Sequence, residues 1–219
     1  MTVRLELLNF ISRWGEPIDP IEVPQSYFDE YGDQLPELML DLWREIGFAG
    51  FGNGLLWVCD PHAWQPIVDT WLDGVELPDH YRGGQIPIFR TAYGKIYCFK
   101  SGLGQKIEIE PAFSSIALFR PEAVPDQEWI DMGITDILGF PVSQFVIDAD
   151  YPREGDDLQE DLFTRITDRL GPTTHSTVYS FAPSVQEGGR VRAENATIAD
   201  AATELVRLRS LEVPDITID

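Results

Sequence analysis

The stretch from Ile86 to Phe119 constrains this chain more than any other. Four short runs suited to strands, Ile86–Thr91, Lys95–Lys100, Lys106–Glu110 and Ser114–Phe119, follow one another with turns at Tyr93-Gly94 and Gly102–Gly104. Links this short join antiparallel neighbours, because a parallel pair needs a crossover of a dozen or more residues. Lys106-Ile107-Glu108-Ile109-Glu110 alternates charged and apolar residues, the period of a strand with one wet face. Lys95, Lys100 and Lys106 all fall here, as expected where lysines on exposed strands discourage edge-to-edge pairing.

Helical periodicity lies on both sides of this meander. Leu5, Leu8, Phe10 and Ile11 predict an opening helix ending near Gly15, and Ser26 is a candidate cap for a short helix reaching Tyr31. Leu35, Leu38, Met39, Leu42, Trp43 and Ile46 form the clearest apolar stripe, with Pro36 suited to the first turn and Gly47 to the stop. Gly50–Gly54 reads as a connector and Leu55–Cys59 as a short strand. Asp60-Pro61 then opens a helix whose inner face is Trp64, Ile67, Val68 and Trp71, with Pro66 confined to the first turn or a kink.

After the meander, residues 121–155 carry Pro121, Pro125, Pro141 and Pro152 and read as a connecting segment with a short helical piece. A helix with Leu158, Leu162, Phe163, Ile166 and Leu170 inward follows and stops at Gly171-Pro172. Thr177–Phe181 is a strand and Pro183–Arg190 a loop. Asn195 is placed as the cap of a last helix facing inward with Ile198, Ala201, Ala202, Leu205 and Leu208. Leu211–Ile218 can close the sheet, and Pro214 limits such a strand to an edge. The expected fold is α+β: a mainly antiparallel twisted sheet flanked by helices, with a smaller helix-strand-helix C-terminal unit. The expected division is 1–120, a connection at 121–155, and 156–219.

Charge narrows the partners. Thirty-seven acidic residues face sixteen basic ones, a net of −21, which disfavours nucleic acid and anionic membranes and speeds encounter with basic proteins. High solubility is the plainer use of such a surface. No run approaches the roughly 20 apolar residues of a membrane span, and the N-terminus lacks a signal pattern, so cytoplasmic residence is expected. Cys59 and Cys98 read as small buried hydrophobes.

Catalytic motifs are wanting. His62, His80 and His175 belong to no zinc pattern, and Gly102-Leu103-Gly104-Gln105 precedes a strand where a dinucleotide fingerprint needs a helix. We expect no catalytic residues, no metal and no cofactor. Two other readings stay open: a small-ligand or regulatory module with a pocket lined by Trp57, Trp64 and Trp71, and a hydrolase pairing a carboxylate with one of the histidines.

Several strings carry a resemblance. LPELMLDLWREIGFAGFGNGLLWVCDP at 35–61 and RTAYGKIYCF at 90–99 resemble the GAD-like domain family. LFTRITDRLGP at 162–172, VYSFAPSVQEGG at 178–189 and AEN at 193–195 are similar to the C-terminal domain of immunity proteins of the type VI secretion system. Ser180 departs from that family's usual Gly, and His175-Ser176 from a common acidic pair. The resemblance implies an intracellular antidote that binds a cognate secreted toxin, a DNase effector, and blocks its DNA-binding or active site. Candidate contact residues are the acidic run holding Asp148, Asp150, Asp156, Asp157, Glu160 and Asp161, the Gly188-Gly189 loop, and the aromatics Tyr93 and Tyr97.

Overall fold

A computed structural model describes residues 5–120, 137–138 and 159–218. The chain begins with helix α1 (Leu5–Trp14), which buries Leu7, Phe10 and Trp14. Strand β1 (Ile18–Ile21) and helices α2 (Gln25–Tyr31) and α3 (Glu37–Glu45) follow. Strands β2 (Phe48–Phe51) and β3 (Leu56–Val58) precede helix α4 (Pro61–Leu72). The meander is β4 (Ile86–Thr91), β5 (Ile96–Lys100), β6 (Gly104–Glu110) and β7 (Ser115–Leu118). Helix α5 (Gln159–Leu170), strands β8 (Thr177–Phe181) and β9 (Ala196–Asp200), helix α6 (Ala201–Leu211) and strand β10 (Asp215–Ile218) complete the described elements.

The fold is α+β, as the meander requires. Among the described residues eight strands form one sheet in the order β1-β2-β3-β4-β5-β6-β7-β10, antiparallel throughout except that β10 runs parallel to β7. Both faces are covered. Alternation on β5 sends Tyr97 and Phe99 to one face, with α1, α3 and α5, and Ile96 and Cys98 to the other, under α4 and α6. Strands β8 and β9 pair as a separate two-stranded sheet. The C-terminal unit therefore holds the expected helix, strand and helix, adds β9, and lends β10 to the main sheet.

Local chemistry explains most boundaries. Asp60 caps α4 by accepting from the His62 amide at 2.9 Å, and the Tyr27 hydroxyl donates to the same carboxylate oxygen at 2.8 Å. Pro36 lies one position outside α3 as its cap residue, since the missing amide is an orphan there anyway.

Four expectations need correction. Ser26 lies inside α2, whose cap position is Pro24. Gly50 belongs to β2 and not to a connector; a side chain there would meet the Trp57 indole at 2.7 Å, so only glycine lets that ring cross the strand. Residues 196–200 form β9 and not the start of the last helix: α6 begins at Ala201, capped by Asp200, which accepts from the Thr203 amide at 2.9 Å. Ile198 and Ala202 are accordingly exposed. The lysines do not guard edges, because β5 and β6 are interior strands. Lys95 pairs with Glu108 at 2.8 Å, and Lys100 donates to the carbonyls of His80 and Arg82. Among the described residues the sheet ends at β1, blunted by Pro20, and at β10, which follows Pro214.

Candidate functional site

Arg90 on β4 marks where the two parts of the chain are fastened. Its side chain is buried at 1% exposure, between the rings of Trp57 at 5.1 Å and Trp64 at 4.6 Å from the guanidinium carbon. It donates to the carbonyls of Thr91 (3.2 Å) and Thr174, and no carboxylate pairs with it among the described residues. Burial pushes its pKa down to about 9, which still leaves it charged at neutral pH. Around it, the Trp57 indole donates to Gly54 O (3.0 Å) and Thr173 Oγ1 (2.9 Å), and Thr173 donates back to Gly54 O at 2.8 Å. The His175 ring meets Trp57 edge-on at 4.7 Å, and His175 Nε2 donates to Asp19 O at 2.7 Å. This cluster holds residues 173–175 against the sheet.

A second feature lies along the same seam. Tyr93, Tyr179, Phe181, Val185, Gln186 and Leu205 contribute to a small pocket between the β4–β5 turn and the C-terminal unit. Gly94 in that turn has φ +80, and a side chain on it would meet Leu205 Cδ2 at 2.9 Å. Nearby, Arg207 donates to Glu204 at 2.8 Å through both Nε and Nη2, and to Glu187 at 3.2 Å. Glu187 also accepts from the Ser184 hydroxyl (2.7 Å), and Glu204 from that of Ser180 (2.6 Å). Burial raises the Glu204 pKa, but the bonds from Arg207 and Ser180 outweigh it and hold the carboxyl below its ordinary value.

The third feature is the C-terminal edge of the sheet. All four residues of β10 are exposed. Val213 is 77% exposed and Ile218 54%, with Leu211 and Ile216 also open, and the acids Glu212 and Asp215 interleave with them. This combines exposed apolar area with negative charge.

The candidate contact residues fare unequally. Tyr93 and Tyr97 are each 3% exposed, so they are core residues and cannot touch a partner in this conformation. Tyr93 stacks with Phe181 at 6.3 Å, and Tyr97 lies under Lys95. Asp148, Asp150, Asp156 and Asp157 lie outside the described residues, while Glu160 and Asp161 fall in the first turn of α5. Gly188 is exposed with φ +83. Gly189 is buried; its amide donates to Ser184 O at 2.8 Å, and a Cβ there would collide with Pro183 O at 1.8 Å. The full exposure of β10 was not legible in the sequence, because Leu211–Ile218 reads equally as a strand with one buried face.

The histidines scatter. His62 Nε2 lies 2.9 Å from Glu30 Oε2 at a half-exposed site against Tyr27, and His80 packs on Tyr81. No hydroxyl or thiol bonds any of the three rings among the described residues. Trp57, Trp64 and Trp71 are buried in the core, Trp71 donating to Leu205 O at 3.0 Å, and do not line an open cavity. Among the described residues no group of three or more His, Cys, Asp or Glu is placed to hold a metal, and no helix is long and apolar enough to cross a membrane.

Comparison with known proteins supports the first half of the resemblance. Residues 6–112 match the GAD-like domain, so this part of the chain carries one. The fold matches the crystal structure of Atu4351 from Agrobacterium tumefaciens with a TM-score of 0.76, over 96% of this chain and 90% of that one, at 21% identity. At that identity the likeness shows a shared architecture running well past the GAD-like segment. No curated protein matches the chain.

Proposed function

We propose that this protein is an immunity protein: it binds a cognate secreted nuclease toxin and neutralises it by occluding the DNA-binding or active site. The observation that carries this reading is the exposed segment from the end of α6 through β10, where Leu211, Val213, Ile216 and Ile218 stand open beside the acids Glu212 and Asp215 on a chain of net charge −21. A DNA-binding enzyme presents the opposite charge around its groove, so long-range attraction would raise the association rate. Desolvated aliphatic contacts and strand-to-strand hydrogen bonds along the open edge would then slow dissociation.

Two further points support it. The strings at 162–172, 178–189 and 193–195 are similar to the immunity-protein C-terminal domain. Their apolar residues build the side of the seam that packs on the GAD-like part. The protein acts in this reading by binding, without catalysis or cofactor, in the compartment where the toxin would harm its host.

The test mixes the protein with the nuclease encoded beside its gene, following binding by calorimetry and activity by plasmid cleavage. A 1:1 complex that abolishes cleavage and weakens with added salt supports the proposal. An active nuclease that neither binds nor loses activity refutes it. Ile216→Asp and Val213→Asp place a like charge on exposed positions, so both should fold normally and weaken binding at least tenfold. Unchanged affinity in both would remove β10 as the docking edge.

A further inference from the structure

Two residues lining the seam pocket each carry a buried polar atom without a hydrogen-bond partner among the described residues. Tyr93 Oη and Gln186 Oε1 are each buried, neither makes a hydrogen bond among the described residues, and both residues line the cavity. Tyr93 is 97% withdrawn from solvent, at 3% exposure. The orientation of the Gln186 amide is fixed independently: its Nε2 donates to Pro111 O at 2.8 Å and reaches toward Ala112 O at 3.4 Å. Turning the amide over would set an oxygen against two carbonyl oxygens, so Oε1 must point the other way. One atom is a pure acceptor and the other a hydroxyl able to donate or accept. They do not bond each other, and the pocket has room for about one water molecule.

Buried polar groups left unsatisfied are costly, and a small polar cavity is where proteins place an internal water. We propose that this pocket is a water-binding site, in which one ordered molecule donates to Gln186 Oε1 and bonds Tyr93 Oη. The bridge links the β4–β5 turn of the GAD-like part to the segment after β8, in a lining that mixes the apolar Phe181, Val185, Leu205 and Leu208 with Tyr179, Ser180 and Ser184, whose hydroxyls already donate to Gly171 O, Glu204 and Glu187. The water is thus a specific tie across the seam, and it fixes the register in which the C-terminal unit docks. It also explains why a tyrosine occupies a position where its ring alone is packed against Tyr179 and Phe181, at 5.7 and 6.3 Å. Burial pushes its phenol pKa well up, so the neutral hydroxyl persists across the physiological range.

The sign of one substitution tests this. Tyr93→Phe keeps the ring and deletes the hydroxyl. If the hydroxyl is bridged, the water loses a partner and Tm falls by about 2–4 °C, the shift expected for one lost hydrogen bond in a chain of this size. If the hydroxyl is simply stranded, its removal is neutral or stabilising, and an unchanged or raised Tm overturns the proposal. In the Gln186→Met background the Tyr93→Phe shift should shrink to less than half, because the bridge is already broken; a full-sized shift overturns it. A high-resolution crystal structure of the unaltered protein supplies the direct check. Density about 2.6–3.2 Å from both atoms supports the site, and its absence refutes it whatever the melting data show.

Discussion

Leu205→Ala tests whether the two parts of this chain unfold as one. Leu205 lies on α6 at 1% exposure; its methyl groups pack against the Gly94 turn, and its carbonyl accepts from Trp71 on α4. Truncation removes three carbons from a site held by α4 on one side and the β4–β5 turn on the other, so the walls have little freedom to collapse. Buried Leu→Ala changes cost about 2–5 kcal/mol, and the enclosed geometry argues for about 3 kcal/mol or more. For a chain of this length that lowers Tm by about 6–12 °C. The assay is calorimetry with tryptophan fluorescence and far-ultraviolet circular dichroism on the same samples. Five of the six tryptophans, Trp14, Trp43, Trp57, Trp64 and Trp71, lie in the GAD-like part, so with the sixth replaced (Trp129→Phe) the emission reports on that part and its side of the seam. The expected result is a single transition, displaced equally by every probe, because Arg90, Trp57 and Trp71 tie both parts through buried hydrogen bonds. An early transition in dichroism, accompanied in fluorescence only by a small step from Trp57 and Trp71 while the main emission change stays in place, would show that the C-terminal unit melts alone. A cost below about 1 kcal/mol would show that the seam is looser than the packing implies.

Thr173→Val keeps the shape of the side chain but removes the hydroxyl shared by Trp57 and Gly54, and should cost about 1–2 kcal/mol in chemical denaturation. Gly94→Ala places a side chain at φ +80 and within 3 Å of Leu205, so it should cost at least about 1–2 kcal/mol; a neutral result would contradict the turn geometry. Burial pushes the Cys59 thiol up to about 12, and that of Cys98 also rises, so neither should react with a thiol reagent at pH 8 until the protein is denatured. Because the fold favours the protonated thiol, Cys59 contributes its full share of stability below the ordinary thiol pKa of 9.0 and loses it as pH climbs through 12. A reactive thiol in the native protein would place Cys59 outside the core.

Patterns with a short period were legible in the sequence. β4 and β8 begin and end where alternation and turn residues place them, and Asp60-Pro61 opens α4 with the expected cap. Elements lacking such a period were not. β1 contains Pro20 and a positive φ at Asp19, and β9 shares the residues Ile198 and Asp200 with a plausible helix start. For the site the boundary is sharper. Charge and family resemblance pointed to partner binding, yet Tyr93 and Tyr97 turned inward, because an aromatic residue beside a turn can serve either a core or a surface and only its neighbours decide. The pairing of Tyr93 with Phe181 and Tyr179 spans more than eighty positions and leaves no local trace.

The sequence by itself determined the antiparallel meander, the amphipathic helices, the excess of negative charge and the GAD-like segment, since each is written in neighbouring residues or in totals. Only the tertiary structure decided that β10 joins β7 in parallel, that Arg90 is clasped by two tryptophans, and that Tyr93 and Gln186 share a pocket. These are contacts between distant positions, fixed by how whole faces exclude water together, and no local preference of the chain encodes them.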